Sequence, residues 1–175
     1  MDLARVVGRL ADFLDAEGAP VALVGAHALQ AYGVTRSTVD LDLLTERRVQ
    51  ERLVAFLESL GYETLHRSDG YSNHLHSDED WGRVDILYVD DRTSRSLFAR
   101  ARDFAPDGGR TLKLPSPEHL VAMKVQAVKN DPARTLKDLS DVRELLRMTD
   151  VDEAEVRAYF ERAGLAARYD DVRRR

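Results

Sequence analysis

Apolar positions recur along the chain with two periods, and the switches between them predict the order of elements. Leu3, Val6, Val7, Leu10 and Leu14 repeat three and four residues apart, the spacing of one helical face, which predicts an amphipathic helix over 3–16. Gly18 and Pro20 close it. The short apolar run from Val21 to Val24 reads as a buried strand ended by Gly25, and AHALQAY then reads as a short helix stopped by Gly33. From Val39 to Leu44 apolar and acidic residues alternate, the period-two mark of a strand. A second amphipathic helix is predicted over 47–60, stopped by Gly61. Strands over 62–66 and 72–76 flank the turn-like SDG at 68–70, and RVDILYV at 83–89 is the next strand. Residues 94–102 read as helical.

A turn at Asp107-Gly108-Gly109 leads to a short strand at 111–114, and Pro115-Ser116-Pro117 marks a boundary. Ser116 is placed to cap a helix with Pro117 in its first position. Three helices follow, at 117–129, 134–147 and 152–163, and the terminal ARYDDVRRR is expected to fray. This order predicts an α/β (α+β) chain, a mixed sheet flanked by helices over 1–114 followed by a helical segment over 115–175 that packs on it.

Composition narrows the functional classes. The 175 residues carry 43% hydrophobic and 33% charged side chains, enough for a core with a solvated surface. No stretch approaches the roughly 20 apolar residues of a membrane span. Charges interrupt the apolar pattern of the first residues, unlike a signal peptide. The expectation is a cytoplasmic protein without a membrane partner. Cysteine is absent, which excludes disulfides and thiolate metal sites. A net charge of -5 argues against a protein that coats nucleic acid non-specifically, while a local basic patch stays compatible with it.

The chemistry concentrates in acidic strand positions. Asp40 and Asp42 stand two residues apart in TVDLDLL, so they point to one face with Cα atoms about 6.6 Å apart. Bare carboxylates this close repel, and a divalent cation relieves them; Mg²⁺ or Mn²⁺ suits an all-oxygen donor set and keeps substrate phosphates in its shell. Asp85 occupies the same position in RVDILYV, on a face shared with Leu87 and Val89. Were its strand to pair beside 39–44, Asp85 would complete a three-carboxylate metal site of the kind that holds two ions. An Asp-x-Asp pair alone is also common on exposed strand faces. Gly25 between strand and helix suits phosphate, because glycine admits close backbone approach and a helix N-terminus presents free N–H groups; most such glycines merely turn the chain.

The whole stretch VALVGAHALQAYGVTRSTVDLDLLT resembles the polymerase-beta-like nucleotidyltransferase superfamily, with its apolar strand, small-residue turn, short helix and Asp-x-Asp. The Arg36-to-Asp42 segment looks most like the bacterial AbiEii-type nucleotidyltransferase toxins and their minimal relatives. LVAMKVQAVKNDPARTLKDLSDV is similar to the helical motif of that group, at Lys124, Arg134, Lys137 and Asp138, with Asp141 close by. The resemblance covers about half of the chain.

It implies a nucleotidyltransferase-type mixed sheet and transfer of a nucleoside monophosphate from an NTP to an acceptor hydroxyl with release of pyrophosphate. It further implies Asp40, Asp42 and Asp85 as metal ligands, with Asp85 helping to deprotonate the acceptor and Lys124 in the catalytic set. Gly25, Ala26, Arg36, Thr38, Arg134, Lys137 and Asp138 would contact the nucleotide. The acceptor implied by the toxins is the 3′ end of tRNA, in a type IV toxin-antitoxin arrangement with a cognate antitoxin protein. An antibiotic hydroxyl, a protein side chain, or a catalytically silent nucleotide-binding module stand as alternatives. Ala26 departs from the Gly or Ser common at that turn and lacks a hydroxyl for the triphosphate, which bears on rate or nucleotide affinity rather than on the fold.

Bland readings accompany the supporting charges. Lys124 lies in an apolar stripe with Leu120, Ala127 and Val128, where its stem can pack while the ammonium reaches water. Arg134–Asp138 and Lys137–Asp141 can be simple i,i+4 pairs. Thr38 can be a plain β-former. His74 and His76 share a strand face as a two-ligand zinc motif lacking a third ligand at matching spacing. His27 follows the glycine turn, and Trp81 among charges is uninformative.

Overall fold

The computed structural model describes residues 1–106 and 109–173. Two of the three residues of the expected turn at 107–109, and the last two of the chain, lie outside that set. The chain divides into two compact units, Met1–Ala28 with Ser37–Pro115, and Leu29–Arg36 with Ser116–Arg175.

The first unit is built on a seven-stranded mixed sheet. Its strands are β1 (Ala22–Leu23), β2 (Asp40–Glu46), β3 (Tyr62–Ser68), β4 (Tyr71–His76), β5 (Arg83–Val89), β6 (Arg102–Phe104) and β7 (Leu112–Leu114), in the order β3-β4-β5-β2-β1-β7-β6. β2 and β5 run parallel, as do β1 and β7, and the other neighbours are antiparallel. Period-two alternation decides the faces. Leu41 and Leu43 of β2 and Val84, Ile86 and Tyr88 of β5 join one buried cluster. Against them pack Val6, Val7, Leu10, Ala11 and Leu14 of α1 (Leu3–Ala16) and Leu53 and Leu57 of α3 (Gln50–Ser59). Asp40, Asp42 and Asp85 occupy the alternate positions, so the helices cover one sheet face and the carboxylates share the other.

The structure departs from the expected elements at several places. The β3–β4 hairpin is longer than 62–66 and 72–76, because pairing runs to Ser68↔Tyr71 around Asp69 and Gly70. α4 (Asp91–Arg100) starts three residues before 94, where the Asp90 side chain accepts from Thr93 N and caps it. Arg102–Phe104, expected to end that helix or to be loop, pairs with Leu112–Leu114 as β6.

In the second unit, α5 (Pro117–Asn130), α6 (Thr135–Met148) and α7 (Glu153–Arg162) lie within a residue of expectation at each end. Ser116 accepts from His119 N with Pro117 in the first turn, as the sequence implied. The expected fraying after 166 is overturned. Ala166–Arg173 forms α8, with Tyr169 and Val172 buried, the Tyr169 ring edge-to-face with Phe160 at 5.7 Å, and Arg157 stacked 4.3 Å over it. α2 (Gly25–Ala31) contributes residues to both units. Among the described residues no helix is long and apolar enough to cross a membrane.

A polar chain runs through the helix-covered side of the sheet. Thr64 Oγ1 donates to Glu58 and lies 3.1 Å from His74 Nδ1; His74 Nε2 is 2.8 Å from Ser72 Oγ, which is 2.8 Å from the Tyr88 hydroxyl. Burial lowers the His74 pKa below the ordinary imidazole value, with Glu58 and Asp85 opposing. A base whose folded pKa lies below its unfolded one favours the fold while neutral. That contribution is complete above the unfolded value of about 6.5 and is lost as pH falls from there toward the lowered folded value. Denaturant melts of the wild type and of His74→Gln between pH 7.5 and 5 should show a steeper acid loss in the wild type; parallel pH slopes would contradict it.

Candidate active site

The strand register brings the predicted carboxylates together along the backbone. Asp42 stands directly opposite Asp85 across the parallel pair, and Asp40 opposite Arg83. Asp40 and Asp42 are half-buried, whereas Asp85 is 8% exposed. The adjacency of the two strands, which the sequence could only pose, is thereby established. The side chains divide differently. Asp85 is clasped by its own neighbours, with Arg83 Nε donating to its Oδ1 at 3.0 Å and the Tyr71 hydroxyl donating to its Oδ2 at 2.9 Å. Tyr71 is pushed up to about 12 by burial and by its bond to Asp85. The same carboxylate, as hydrogen-bond and charge partner, raises Arg83 further above its already high value. Among the described residues, no three carboxylate or imidazole side chains are already gathered about one point.

The glycine turn meets the same row. Gly25 has φ +61°, and a Cβ there would come within 2.6 Å of the Asp42 Cβ and overlap the carboxylate itself. The backbone at 25 therefore lies against the Asp42 side chain, in a conformation open to glycine at little cost. Ala26 and His27 follow, half-buried in the first turn of α2. Thr38 does more than favour extended backbone, since its hydroxyl accepts from Asp40 N at 3.2 Å and ties down the start of β2.

Three carboxylates with one guanidinium on one face of two paired strands, beside a backbone held close by a glycine, are a hard-oxygen donor set that fits a divalent cation. Asp40, Asp42 and Asp85 are the residues that would hold it. When bound, such an ion supplies charge neutralisation for a triphosphate and lowers the pKa of a coordinated hydroxyl.

The other predicted residues fall within the helical unit. Lys124 Nζ donates to Asp138 at 2.9 Å and to Asp141 at 2.7 Å; Arg134 Nε donates to Asp138 at 2.9 Å, and Arg36 Nε lies 3.5 Å from Asp141. Asp138 and Asp141 are 0% and 4% exposed. Burial pushes the Asp138 carboxyl up, but hydrogen bonds from Arg134 and Lys124 outweigh it and hold it below the usual value. The i,i+4 pair Arg134–Asp138 forms as anticipated. Asp141 instead takes Lys124 and Arg36, and Lys137 stays exposed outside the network. His74 and His76 are engaged by the protein itself, His76 accepting from Asp78 N and lying 3.2 Å from Leu60 O.

Sequence reasoning missed Arg83 and Tyr71. Arg83 precedes Asp85 by two residues in RVD, which places both on one strand face, so that pair was available to inspection. Tyr71 reaches Asp85 only through the β4–β5 pairing, which no local pattern announces.

A mixed sheet with Asp-x-Asp on one strand, a third aspartate opposite on its parallel neighbour and a glycine turn against them defines the nucleotidyltransferase class. The chain belongs to the family described as uncharacterised nucleotidyltransferase, whose model matches residues 1–172. It is therefore a nucleotidyltransferase enzyme, and its general reaction is transfer of a nucleoside monophosphate from an NTP. No curated protein matches the chain. Solved structures of similar fold include the antibiotic-resistance factor ANT(2'')-Ia in complex with adenylyl-2''-tobramycin, at 17% identity and TM-score 0.65, covering 97% of this chain and 99% of that one. The lincosamide antibiotic adenylyltransferase LnuA, bound to lincomycin, is similar at 14% identity and TM-score 0.58, over 83% and 97%. An antigenic nucleotidyltransferase-like protein from Paracoccidioides brasiliensis is similar at 17% identity and TM-score 0.58, over 97% and 92%.

Two substitutions separate architecture from chemistry. Gly25→Ala and Gly18→Ala meet similar positive φ values, but a Cβ at Gly18 meets open space. Gly18→Ala should cost about 1–2 kcal/mol of stability, and Gly25→Ala should cost more and abolish NTP turnover as well; equal effects on melting and turnover would contradict the Gly25–Asp42 contact. Lys124→Met leaves Asp138 and Asp141 short of a buried cation. It should destabilise the fold by about 3–5 kcal/mol in denaturant titrations, and a loss below 1 kcal/mol would mean that Lys124 is not a structural hub.

Proposed function

We propose that the enzyme transfers a nucleoside monophosphate from a Mg²⁺- or Mn²⁺-bound NTP to a hydroxyl of a small polar molecule. The observation that carries this reading is Asp42 opposite Asp85 with Gly25 against Asp42. In it, Asp40, Asp42 and Asp85 hold the cation, and the N–H groups at Gly25 and Ala26 receive the triphosphate. The acceptor oxygen bonds to the α-phosphorus while the bond to the bridging oxygen breaks, pyrophosphate leaves with the electron pair, and the hydroxyl proton passes to the Asp85 carboxylate. The resemblance also assigns Lys124, Arg36, Arg134, Lys137 and Asp138 to the nucleotide; of these, Lys124, Arg36 and Arg134 pair with Asp138 and Asp141. Ala26 offers no hydroxyl to the nucleotide, so turnover is slower than a serine there would allow.

A small acceptor is favoured over tRNA by charge. A polyanionic strand needs a basic track along its length and a small acceptor does not, and the guanidinium beside Asp85, Arg83, is committed to that aspartate. The similarity of fold to two antibiotic adenylyltransferases, over 83% and 97% of this chain, supports the same direction. The tRNA acceptor, the toxin role and an antitoxin partner rest on the AbiEii-type resemblance, and cytoplasmic location follows from an enzyme that draws on the NTP pool.

The test is label transfer from each of the four α-labelled NTPs, with Mg²⁺, into tobramycin, lincomycin, total tRNA and total protein. Transfer to a small hydroxylated acceptor is expected, falling on the order of 100-fold or more in Asp42→Ala. Label confined to tRNA would replace the small-molecule reading with the toxin one, and label confined to protein would make the enzyme a protein-modifying one.

A further inference from the structure

Asn73 Oδ1 is buried and, among the described residues, receives no hydrogen bond. A buried carbonyl without a donor weakens the fold and calls for a reason. Its place in the sheet supplies one. Asn73 is the register partner of Asp85 across the antiparallel β4–β5 pair, and Asp85 is the partner of Asp42 across β5–β2. Directly opposed residues share a face, so Asp42, Asp85 and Asn73 form one row over three adjacent strands. On the same face Tyr71, two residues earlier, and Arg83 both donate to Asp85, and His66 of β3 is the register partner of Asn73 on its other side.

Strand order gives this row a direction. The Gly25 turn follows β1, which flanks β2, whereas β4 lies on the far side of β5. The inference rests on the proposed reading that the NTP lies over Asp40 and Asp42 with its triphosphate at Gly25. Attack in line with the leaving group then brings the acceptor oxygen from the opposite side, past Asp85 toward β4. Asn73 is the next side chain met outward from Asp85, and rotation about its soft Cβ–Cγ bond turns the carbonyl toward that side.

We propose that Asn73 binds the acceptor, its side-chain carbonyl accepting a hydrogen bond from a second donor group close to the attacking hydroxyl. The acceptor class that satisfies both positions is a diol or an amino alcohol: one hydroxyl lies at Asp85 and a neighbouring hydroxyl or ammonium lies at Asn73. A mono-hydroxylated acceptor brings no second donor group to the carbonyl.

Asn73→Val tests this with three readouts. Because the unpartnered carbonyl is removed from a strand that suits valine, the melting temperature should rise by about 2–8 °C; a fall would overturn the proposal, since Asn73 would then be holding the sheet. Mn²⁺ affinity, measured by loss of the free-ion paramagnetic resonance signal, should change by less than twofold. A tenfold loss would overturn the proposal by making Asn73 a metal donor. The third readout is the partition of α-labelled NTP between tobramycin and water. The variant should lose at least tenfold more transfer to tobramycin than to water, through the acceptor KM rather than kcat, and equal losses would overturn it. Absence of all NTP turnover in the wild type would sink the proposed function, while the melting and Mn²⁺ readouts would still decide whether Asn73 is a structural residue, a metal donor or neither.

Discussion

Asp42 and Asp85 stand opposite each other on hydrogen-bonded parallel strands, and two like charges at strand spacing are not stable neighbours. At about 5 Å and an effective dielectric constant of about 20, their repulsion is about 3 kcal/mol. Asp40 adds a third negative charge two residues along the same face. Arg83 and Tyr71 answer part of this, between them binding both oxygens of Asp85. Asp85, at 8% exposure, has little water to help it and takes charged and hydroxyl protein partners instead. The arrangement opposes the repulsion at Asp85, and the Gly25 backbone is held against Asp42. A row of carboxylates with a guanidinium paired to one of them is compatible with the proposed exchange of a protein cation for a metal ion.

The fold on the far side of the sheet supports that row. Leu41 and Leu43 of β2, and Val84 and Ile86 of β5, are each at most 1% exposed, alternating along the strands with the aspartates. A one-residue slip in either strand would turn apolar side chains out and carboxylates into the core, so burial of the apolar set locks the register that places Asp42 opposite Asp85. The chemistry is thus positioned by hydrophobic packing against α1 and α3 that never touches substrate. The helical unit is different in kind. Asp138 and Asp141 are buried with cations about them, a network stable as a set and costly to break singly. This accounts for Lys124 in its apolar stripe without appeal to substrate.

Local patterns made much of this legible. Period-two alternation placed Asp40 and Asp42 on one face and Asp85 among the inward and outward positions of its own strand, and capping chemistry at Ser116 and Pro117 located α5. Pairing of β2 with β5 joins residues 43 apart and is parallel, so no turn sequence announces it. The Arg83 and Tyr71 clasp, and Asn73 across from Asp85, depend on that long-range pairing and were out of reach. α8 was misjudged because ARYDDVRRR looks too charged to be held; two side chains, Tyr169 and Val172, are enough to anchor it once a neighbouring helix offers Phe160. β6 was missed because three residues cannot display a period.

In the proposed reading the sheet also divides the labour of the reaction between its two sides. Toward β1 lie the parts that suit any NTP, a glycine turn with backbone donors and the paired aspartates of β2. Toward β4 lie side chains that backbone geometry does not dictate: Tyr71, Asn73 and the half-exposed Leu75. A polar oxygen can be left without a partner on the second side at modest cost to a stable fold, whereas on the first side even a methyl group at Gly25 would collide with Asp42. Tolerance is therefore greater on the side proposed for the acceptor than on the side proposed for phosphate. A nucleotidyltransferase built on this sheet can change its acceptor by exchanging β4 side chains while its nucleotide chemistry stays in place.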